Sequence, residues 1–600
     1  MNHFQYKVRE AFNKTRAPLL MISTWIAFLC SVVTLFFVGY NIGFKVTSEQ
    51  MVLFFSVFKI MLLVLSLVSI TRIIYSFDEL VKKGTRMEWL SLILLLTAFV
   101  LVFEIGSLSI FKNIPFTYSY WIVISVLIYF SVIEISKDLI LVLSKDANPL
   151  KIFVVSFLFL VTVGTTILLL PNSTYNGISF VDALFTTTSA VCVTGLNCVP
   201  FDETFTLSGQ ITIMLLIQTG GLGVVTITTF FAIFFLDGIS VNSEFMIKDI
   251  ISGNRSANLV SLVTKIITVT FLIELAGAVG IYIYTSPHLE MSEFNKIFFA
   301  IFHAISAFCN AGFSTLPDNL ADPMIIDISP FYVIMSFLIV LGGIGFPILS
   351  NIIKVFHHRY RQFFRVIRGR KYRKYAQDWD MNSIIVLRTT GYLLLFGTLY
   401  FLIFERNGML AQFTGIDKLV QAFFHAVVPR TAGFNSVNLT SLAPVTFMVI
   451  IILMWIGAAP QSTGGGIKVT TFALMIRNLS HMIMGKERVH FFGREISSRS
   501  VIRAFATVTL SLIFITLAQV AIVSIEPNFS ADKILFEIVS AIGTVGLSMG
   551  ITQDLQPASK LIITLLMFAG RVGVITFLSA FIRIKREQRY NYPKADIMIS

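Results

Sequence analysis

The chain has 600 residues, of which 56% are hydrophobic and only 13% charged, and its mean hydropathy is +0.82. That leaves too little polar surface to coat soluble domains of this total size, which excludes a soluble enzyme or binding module and leaves an integral membrane protein. A formal net charge of +13 would suit nucleic acid, but Lys and Arg fall between apolar runs and build no soluble basic domain, so no nucleic-acid partner is expected.

Apolar runs of roughly 20 residues suit helices crossing about 30 Å of hydrocarbon, and they lack the alternation of barrel strands, so the expected fold class is all-α. In chain order the candidate spans are 19–43, 51–71, 88–112 and 120–143, then 152–170, 208–236, 260–284 and 329–356. Four more follow at 384–404, 442–480 with a break, 501–525 and 558–584. The first is too long for a signal-peptide core and reads as a retained span. With twelve crossings, the Lys and Arg clusters fall on one side, including those around Lys7, Lys82, Lys354 and Arg583. That predicts a multi-pass protein with both termini cytoplasmic. The basic run from Lys354 is either a topological determinant or a site for anionic lipid headgroups or an acidic partner. Glu104 and Glu134, inside the first four spans, either have a function or pair within the bundle. Cys30, Cys192, Cys198 and Cys309 show no metal-ligand spacing and read as small packing residues.

From residue 152 onward one plan recurs four times: a span, a short apolar helix, a small-residue piece ending in glycine, then a second span with its own glycine cluster. The small-residue pieces are "TSAVCVTGLNCVP" from Thr188, "ISAFCNAGFST" from Ile305, "VVPRTAGFNSV" from Val427 and "SAIGTVGLSMG" from Ser540. Their glycines, Gly195, Gly312, Gly433 and Gly546, recur at near-equal intervals. The expected units are 1–150, an extension of four membrane helices without an assigned role, then pore repeats at 151–240, 241–360, 361–485 and 486–600, arranged around a pseudo-fourfold pore.

Each short helix, expected at about 13 residues or fewer, is long enough to enter the membrane and too short to leave it. Non-helical backbone at that depth is tolerated only where it is buried in protein or lines a wet cavity. Four such loops about one axis would aim rings of carbonyls, and the negative ends of four helices, at a common centre. No loop tip carries Asp or Glu, so the expected occupant is a monovalent cation held by backbone oxygens. A membrane-embedded enzyme is not expected, since the predicted pore has no HExxH, no acid pair at helical spacing and no Ser–Lys arrangement.

The pieces "TTTSAVCVTGL", "FHAISAFCNAGFS", "FFHAVVPRTAGFNSV" and "EIVSAIGTVGLSMGIT", with "STGGGIKVTTFA" and "GRVGVITF", make the chain resemble the Trk/Ktr/HKT superfamily of potassium transporters, most of all its bacterial KtrB and TrkH-like membrane subunits. The resemblance covers about residues 152–585. It implies a selectivity filter at Val193, Thr194 and Gly195, at Asn310, Ala311 and Gly312, at Thr431, Ala432 and Gly433, and at Thr544, Val545 and Gly546. Glycine at 195 favours potassium as the transported ion, and no organic cofactor is expected. An alternative within the same fold is a sodium-selective or sodium/potassium-coupled transporter.

The resemblance also implies an intramembrane gate at Ser462, Thr463, Gly464, Gly465 and Gly466, with Arg571 beside it. The other readings are a close helix crossing for the glycines and a purely structural role for the arginine. The chain contains no soluble nucleotide-binding domain. By analogy the resemblance implies a homodimer in the plasma membrane and a cytoplasmic ring of RCK-type nucleotide-binding regulatory subunits. The four leading spans have no counterpart in compact members of this family.

Overall fold

Apolar segments fold as helices in hydrocarbon because only a helix satisfies every backbone N–H and C=O within the segment. A computed structural model of the chain describes residues 3–83, 120–131, 149–223, 259–369 and 379–581, apart from a few single positions, together with isolated helical positions between 93 and 134. The described residues are mostly helical; one two-stranded hairpin pairs His490–Phe491 with Arg494–Glu495.

Two helices, His3–Gly43 and Ser48–Lys83, pack on each other and on the helical segment 120–131 around a small core that includes Ala27, Phe58, Leu62, Tyr120 and Leu127. Glu134 is buried and meets Arg72 Nη1 through both carboxylate oxygens at 2.9 Å, so this intramembrane acid is paired within the bundle. Glu104 and most of the expected third span lie outside the described residues, as do the tail from Arg583 and the end of the 208–236 span.

A separate, larger core gathers residues from Val154 to Val574. It is built from four successions of outer helix, short helix, loop and inner helix. The outer helices are Pro149–Leu168, Leu259–Thr285, Met381–Phe404 and Ser498–Ile525. Their outward faces expose Phe271, Leu272, Leu275, Tyr392, Leu395 and Leu517, as an apolar solvent requires. The short helices are Phe180–Val191, Glu293–Phe308, Gly415–Val427 and Ala531–Gly543. Three keep within 13 residues; Glu293–Phe308 has 16, an extra turn begun by the Ser292 cap on the Asn295 N–H.

The inner helices differ from the expected uninterrupted spans. Leu207–Leu222, Ser329–Ile344 and Pro557–Val572 each stop after 16 residues at a glycine, Gly223, Gly345 or Gly573, with φ of 79°, 95° and 89°. Side chains with a Cβ rarely adopt that conformation, so glycine permits the sharp exit. The expected span 329–356 is therefore two helices, and Phe346–Ile367 leaves Ser329–Ile344 at 105°. That second helix carries the basic run and exposes Ile353, Phe356, Tyr360, Phe363 and Ile367 along one side. In the third succession the inner helix breaks as expected, ending at Trp455 and resuming at Val469. Among the described residues five helices are long and apolar enough to cross a membrane, and the bent pair makes a sixth candidate. Of the remaining expected spans, 152–170 is the helix Pro149–Leu168, and the others are interrupted by breaks or lie partly outside the described residues.

Candidate functional site: a ring of four loops

Each loop leaves its short helix by the same backbone turn. Val193, Asn310, Thr431 and Thr544 are left-handed, with φ of 55°, 61°, 68° and 49°, and the glycine two residues later is again positive, at 93°, 71°, 73° and 93°. The residue between them is not. Alternating the sign of φ undoes the left–right alternation of an extended strand and turns successive carbonyls to one side. The N–H groups turn the other way, back to the helix. Thr194 N donates to Ser189 O at 2.8 Å, Ala311 N to Ser306 O at 2.7 Å and Val545 N to Ser540 O at 2.8 Å. The Gly195 and Gly546 N–H groups donate to the hydroxyls of Ser189 and Ser540, both at 3.0 Å. The third loop has valine here, and Ala432 N donates to Val428 O at 3.0 Å.

The four glycines meet in cyclic order. A Cβ on Gly195 would strike the Ala311 carbonyl oxygen. One on Gly312 would lie 2.8 Å from Ala432 O, one on Gly433 2.6 Å from Val545 O, and one on Gly546 would strike Thr194 O. Every contact is to the residue just before the next loop's glycine, and the fourth returns to the first. The carbonyls of Thr194, Ala311, Ala432 and Val545 are thus gathered at one place, and all four residues are fully buried. Among the described residues those four oxygens accept no hydrogen bond. A buried carbonyl without a donor is costly, and four together form a site that a desolvated cation would satisfy.

The glycine clusters of the inner helices seat the short helices. A Cβ on Gly220, Gly342 or Gly570 would collide with the last-turn carbonyl of Val191, Phe308 or Ile542, the short helix of the same succession. Glycine is needed there for close approach, which fixes how far each loop reaches towards the centre.

Directly against the ring lies the interruption between Trp455 and Val469. Ile456 and Ile467 pair in parallel at its ends, with Gly457 N donating to Ile467 O at 2.9 Å. Within it, Gly465 N donates to Thr544 Oγ1 at 2.9 Å. Asn310 bridges Thr431 Oγ1 at 3.2 Å and Thr463 Oγ1 at 3.1 Å in either orientation of its amide. Arg571 donates from Nη1 to the Thr463 carbonyl and from Nη2 to the Gly220 carbonyl, tying the segment to the first inner helix. The structure therefore brings Ser462, Thr463, Gly464, Gly465, Gly466 and Arg571 together, touching the ring.

The comparisons with known proteins decide what this arrangement belongs to. Residues 109–591 match the family model TrkH, described as a cation transport protein. The chain is 36% identical over 465 residues to the "Potassium/sodium uptake protein NtpJ" of Enterococcus hirae, covering 76% of this chain and 98% of that one. It is 34% identical over 454 residues to the "Ktr system potassium uptake protein B" of Bacillus subtilis, covering 75% and 96%. The chain belongs to the TrkH/Ktr family of cation transport proteins. Its fold is similar to that of the potassium transporter TrkH from Vibrio parahaemolyticus, with a TM-score of 0.56, 17% identity, and coverage of 88% of this chain and 98% of that one. It is a multi-pass membrane transporter of the potassium and sodium uptake family, not an enzyme.

The roles of several residues of this transporter's site are not apparent from the motifs, even where the motifs contain them. Lys468 Nζ donates to Gly464 O at 2.8 Å and lies 3.5 Å from Gly465 O, placing a second cation beside Arg571. Each short helix is also braced to the loop that leaves its glycine. Thr186 meets Cys198 at 3.7 Å, His303 Nε2 meets Ser314 at 3.0 Å, His425 Nε2 meets Ser436 at 2.9 Å, and Ser548 donates to Glu537 at 2.5 Å. Glu537 also accepts from Thr552 at 2.9 Å and the Met549 N–H at 3.0 Å, so its buried carboxylate is well supplied with donors. The near-constant offset from helix residue to brace partner is a signal an internal alignment of the repeats would have found. Asp182 on the first short helix pairs with Lys560 on the last inner helix at 2.7 Å, joining the two ends of the four successions. All four cysteines are free and buried.

Proposed function

We propose that the ring is a potassium-selective filter and that the chain is the ion-translocating subunit of a potassium uptake system. The observation that carries this reading is the set of four buried carbonyls, of Thr194, Ala311, Ala432 and Val545, gathered around one point without a hydrogen-bond donor. Stripping water from a monovalent cation is repaid only when several oxygens replace the hydration shell together, and these four are fixed in position by loops tied to their helices. Val193, Asn310, Thr431 and Thr544 form the rim next to the 462–466 segment, and Gly195, Gly312, Gly433 and Gly546 let the carbonyls converge. Each of the units 151–240, 241–360, 361–485 and 486–600 supplies one quarter of the ring. Flux runs down the electrochemical gradient or is coupled to sodium or protons.

In this reading the 462–466 segment is the gate. It closes on the ring through hydrogen bonds, and Arg571 and Lys468 hold its carbonyls. The protein works in the plasma membrane with both termini cytoplasmic, as a homodimer with an RCK-type regulatory ring. The "Ktr system" in the name of the Bacillus subtilis relative supports partner subunits. The "Potassium/sodium" in the Enterococcus hirae name supports a second reading, a transporter in which sodium is also carried.

One experiment tests the reading and separates the two. The full chain, reconstituted in liposomes, is assayed for rubidium and sodium flux. A potassium filter gives rubidium flux well above sodium flux, and Gly195→Ser lowers that ratio because a Cβ meets the Ala311 carbonyl. Sodium flux equal to or above rubidium flux in the unaltered protein favours the second reading. A ratio untouched by Gly195→Ser removes the filter assignment.

A further inference from the structure

We propose that Asn310, Thr431 and Thr544 are positioning residues that latch the 462–466 segment to the ring, so that ion selectivity depends on the position of that segment. The inference rests on the filter and gate readings above. It starts from an oddity of the backbone: the left-handed position of each loop is held by a residue with a Cβ. Such residues lose about 1 kcal/mol or more there, and β-branched ones are rarely found there. Val193, Thr431 and Thr544 are β-branched, and at Asn310, Thr431 and Thr544 the side chain is occupied by the gate segment or by the network reaching it.

The contacts are specific. Gly465 N–H donates to the Thr544 hydroxyl, and Asn310 links the Thr463 hydroxyl to the Thr431 hydroxyl. The backbone of Gly464 is pressed so closely on Thr431 that an added Cβ would overlap its hydroxyl, and one on Gly465 would overlap Thr544. All six residues are buried. Behind the third loop, the buried Arg430 extends towards the Gly457 carbonyl at 3.5 Å, near the start of the same interruption. The fourth rim position is Val193, whose side chain has no hydrogen-bonding group to offer the segment. The latch therefore joins three loops, and the first stands outside it.

This arrangement has a mechanical consequence. With the segment in place, its polar groups supply partners that offset the unfavourable backbone of the rim. When the segment withdraws, Thr431, Thr544 and Asn310 lose those partners, and the carbonyls one residue further on, at Ala432, Val545 and Ala311, lose their fixed positions. Selectivity by a ring of dipoles depends on holding those dipoles still, so a withdrawn segment gives a ring that discriminates less.

The test sets a substitution on the gate side, Thr463→Val, beside substitutions of the filter residue Thr544. In liposomes containing the full chain, rubidium and sodium fluxes are measured for the unaltered protein, Thr463→Val, Thr544→Val, Thr544→Ser and the pair Thr463→Val with Thr544→Val. The expected result is that Thr463→Val raises basal flux and also lowers the rubidium-to-sodium ratio, by about five-fold, the size set by loss of one net hydrogen bond. Thr544→Val does the same, Thr544→Ser retains the unaltered ratio, and the double variant falls short of the product of the two single effects. Should Thr544→Val not fold, Thr463→Val alone carries the test. A Thr463→Val protein with raised flux and an unaltered ratio overturns the latch and leaves the gate standing. Unaltered flux and an unaltered ratio in that protein overturn the latch, and unaltered flux on shortening 462–466 separately removes the gate.

Discussion

Gly546, in the last of the four loops, lies against the carbonyl oxygen of Thr194 in the first, so closely that no Cβ fits between them. This contact closes the ring: without it the loops would form an open row with no common centre. The account therefore predicts that Gly546→Ser behaves like Gly195→Ser. Both positions have φ of 93°, where strain adds to the clash. Together these cost about 1 to 3 kcal/mol at the ring, and the rubidium-to-sodium flux ratio should fall by about ten-fold in either variant. Equal ratios in Gly546→Ser and the unaltered protein would mean that the fourth loop takes no part in selection.

Lys468 is the second test of the gate. Its ammonium holds the Gly464 and Gly465 carbonyls from just beyond the segment's end, while Arg571 holds Thr463 from the last inner helix. Lys468→Met keeps the length of the side chain and removes the charge. Basal rubidium flux should rise by about five-fold, since a charge-assisted hydrogen bond contributes about 1.5 kcal/mol or more. Arg571→Lys should raise it as well, because one ammonium cannot reproduce the two-handed grip on Thr463 and Gly220. Flux at the unaltered level in both would show that the two cations serve packing alone.

The pair of Asp182 and Lys560 predicts an asymmetry in stability. Side-chain exposures of 21% and 10% place it mostly out of water, so removing one partner strands the other. Lys560→Met should lower unfolding stability by about 3 kcal/mol, read as a fall in the melting temperature in detergent. The double variant Asp182→Leu with Lys560→Met should recover most of that loss, because nothing charged is then left buried. A double variant no better than the single one would contradict the pairing.

Glu537 gives a fourth prediction. Its carboxylate accepts from Ser548, Thr552 and the Met549 N–H, and Gln keeps only one oxygen, so the charge-assisted bonds are lost and the Thr552 hydroxyl must reorient to accept from the Gln NH2. Glu537→Gln should destabilise the protein by about 2 kcal/mol and lower rubidium flux, with Glu537→Asp no rescue because the carboxylate is then too short to reach. Unchanged thermal stability in Glu537→Gln would remove the brace.

The loops were legible in the sequence because their requirements are local. A helix too short to cross, a glycine at its exit and a fourfold recurrence can all be read along the chain. The break at 462–466 was legible for the same reason, since three successive glycines weaken a helix wherever they stand. The breaks at Gly223, Gly345 and Gly573 were not, because hydropathy continues across a single left-handed residue without change. The glycine clusters ending at Gly223, Gly345 and Gly573 were the local hint, strengthened at Gly345 by Pro347, a proline suited to starting a new helix.

Partnerships were beyond local reading. Lys468 stands next to the glycines in sequence, yet only the fold of the segment turns its ammonium back onto their carbonyls. Asp182 finds Lys560, and Glu134 finds Arg72, across distances in sequence that no periodicity encodes.

The central claim is that one monovalent cation sits among the four gathered carbonyls. Crystals or reconstituted particles of the full chain, soaked in rubidium in place of potassium, test it by locating the heavy ion. The account predicts a rubidium peak on the ring axis, bounded by the carbonyl oxygens of Thr194, Ala311, Ala432 and Val545, and lost in Gly195→Ser. Rubidium bound elsewhere in the chain, with no peak among those four oxygens, would contradict it.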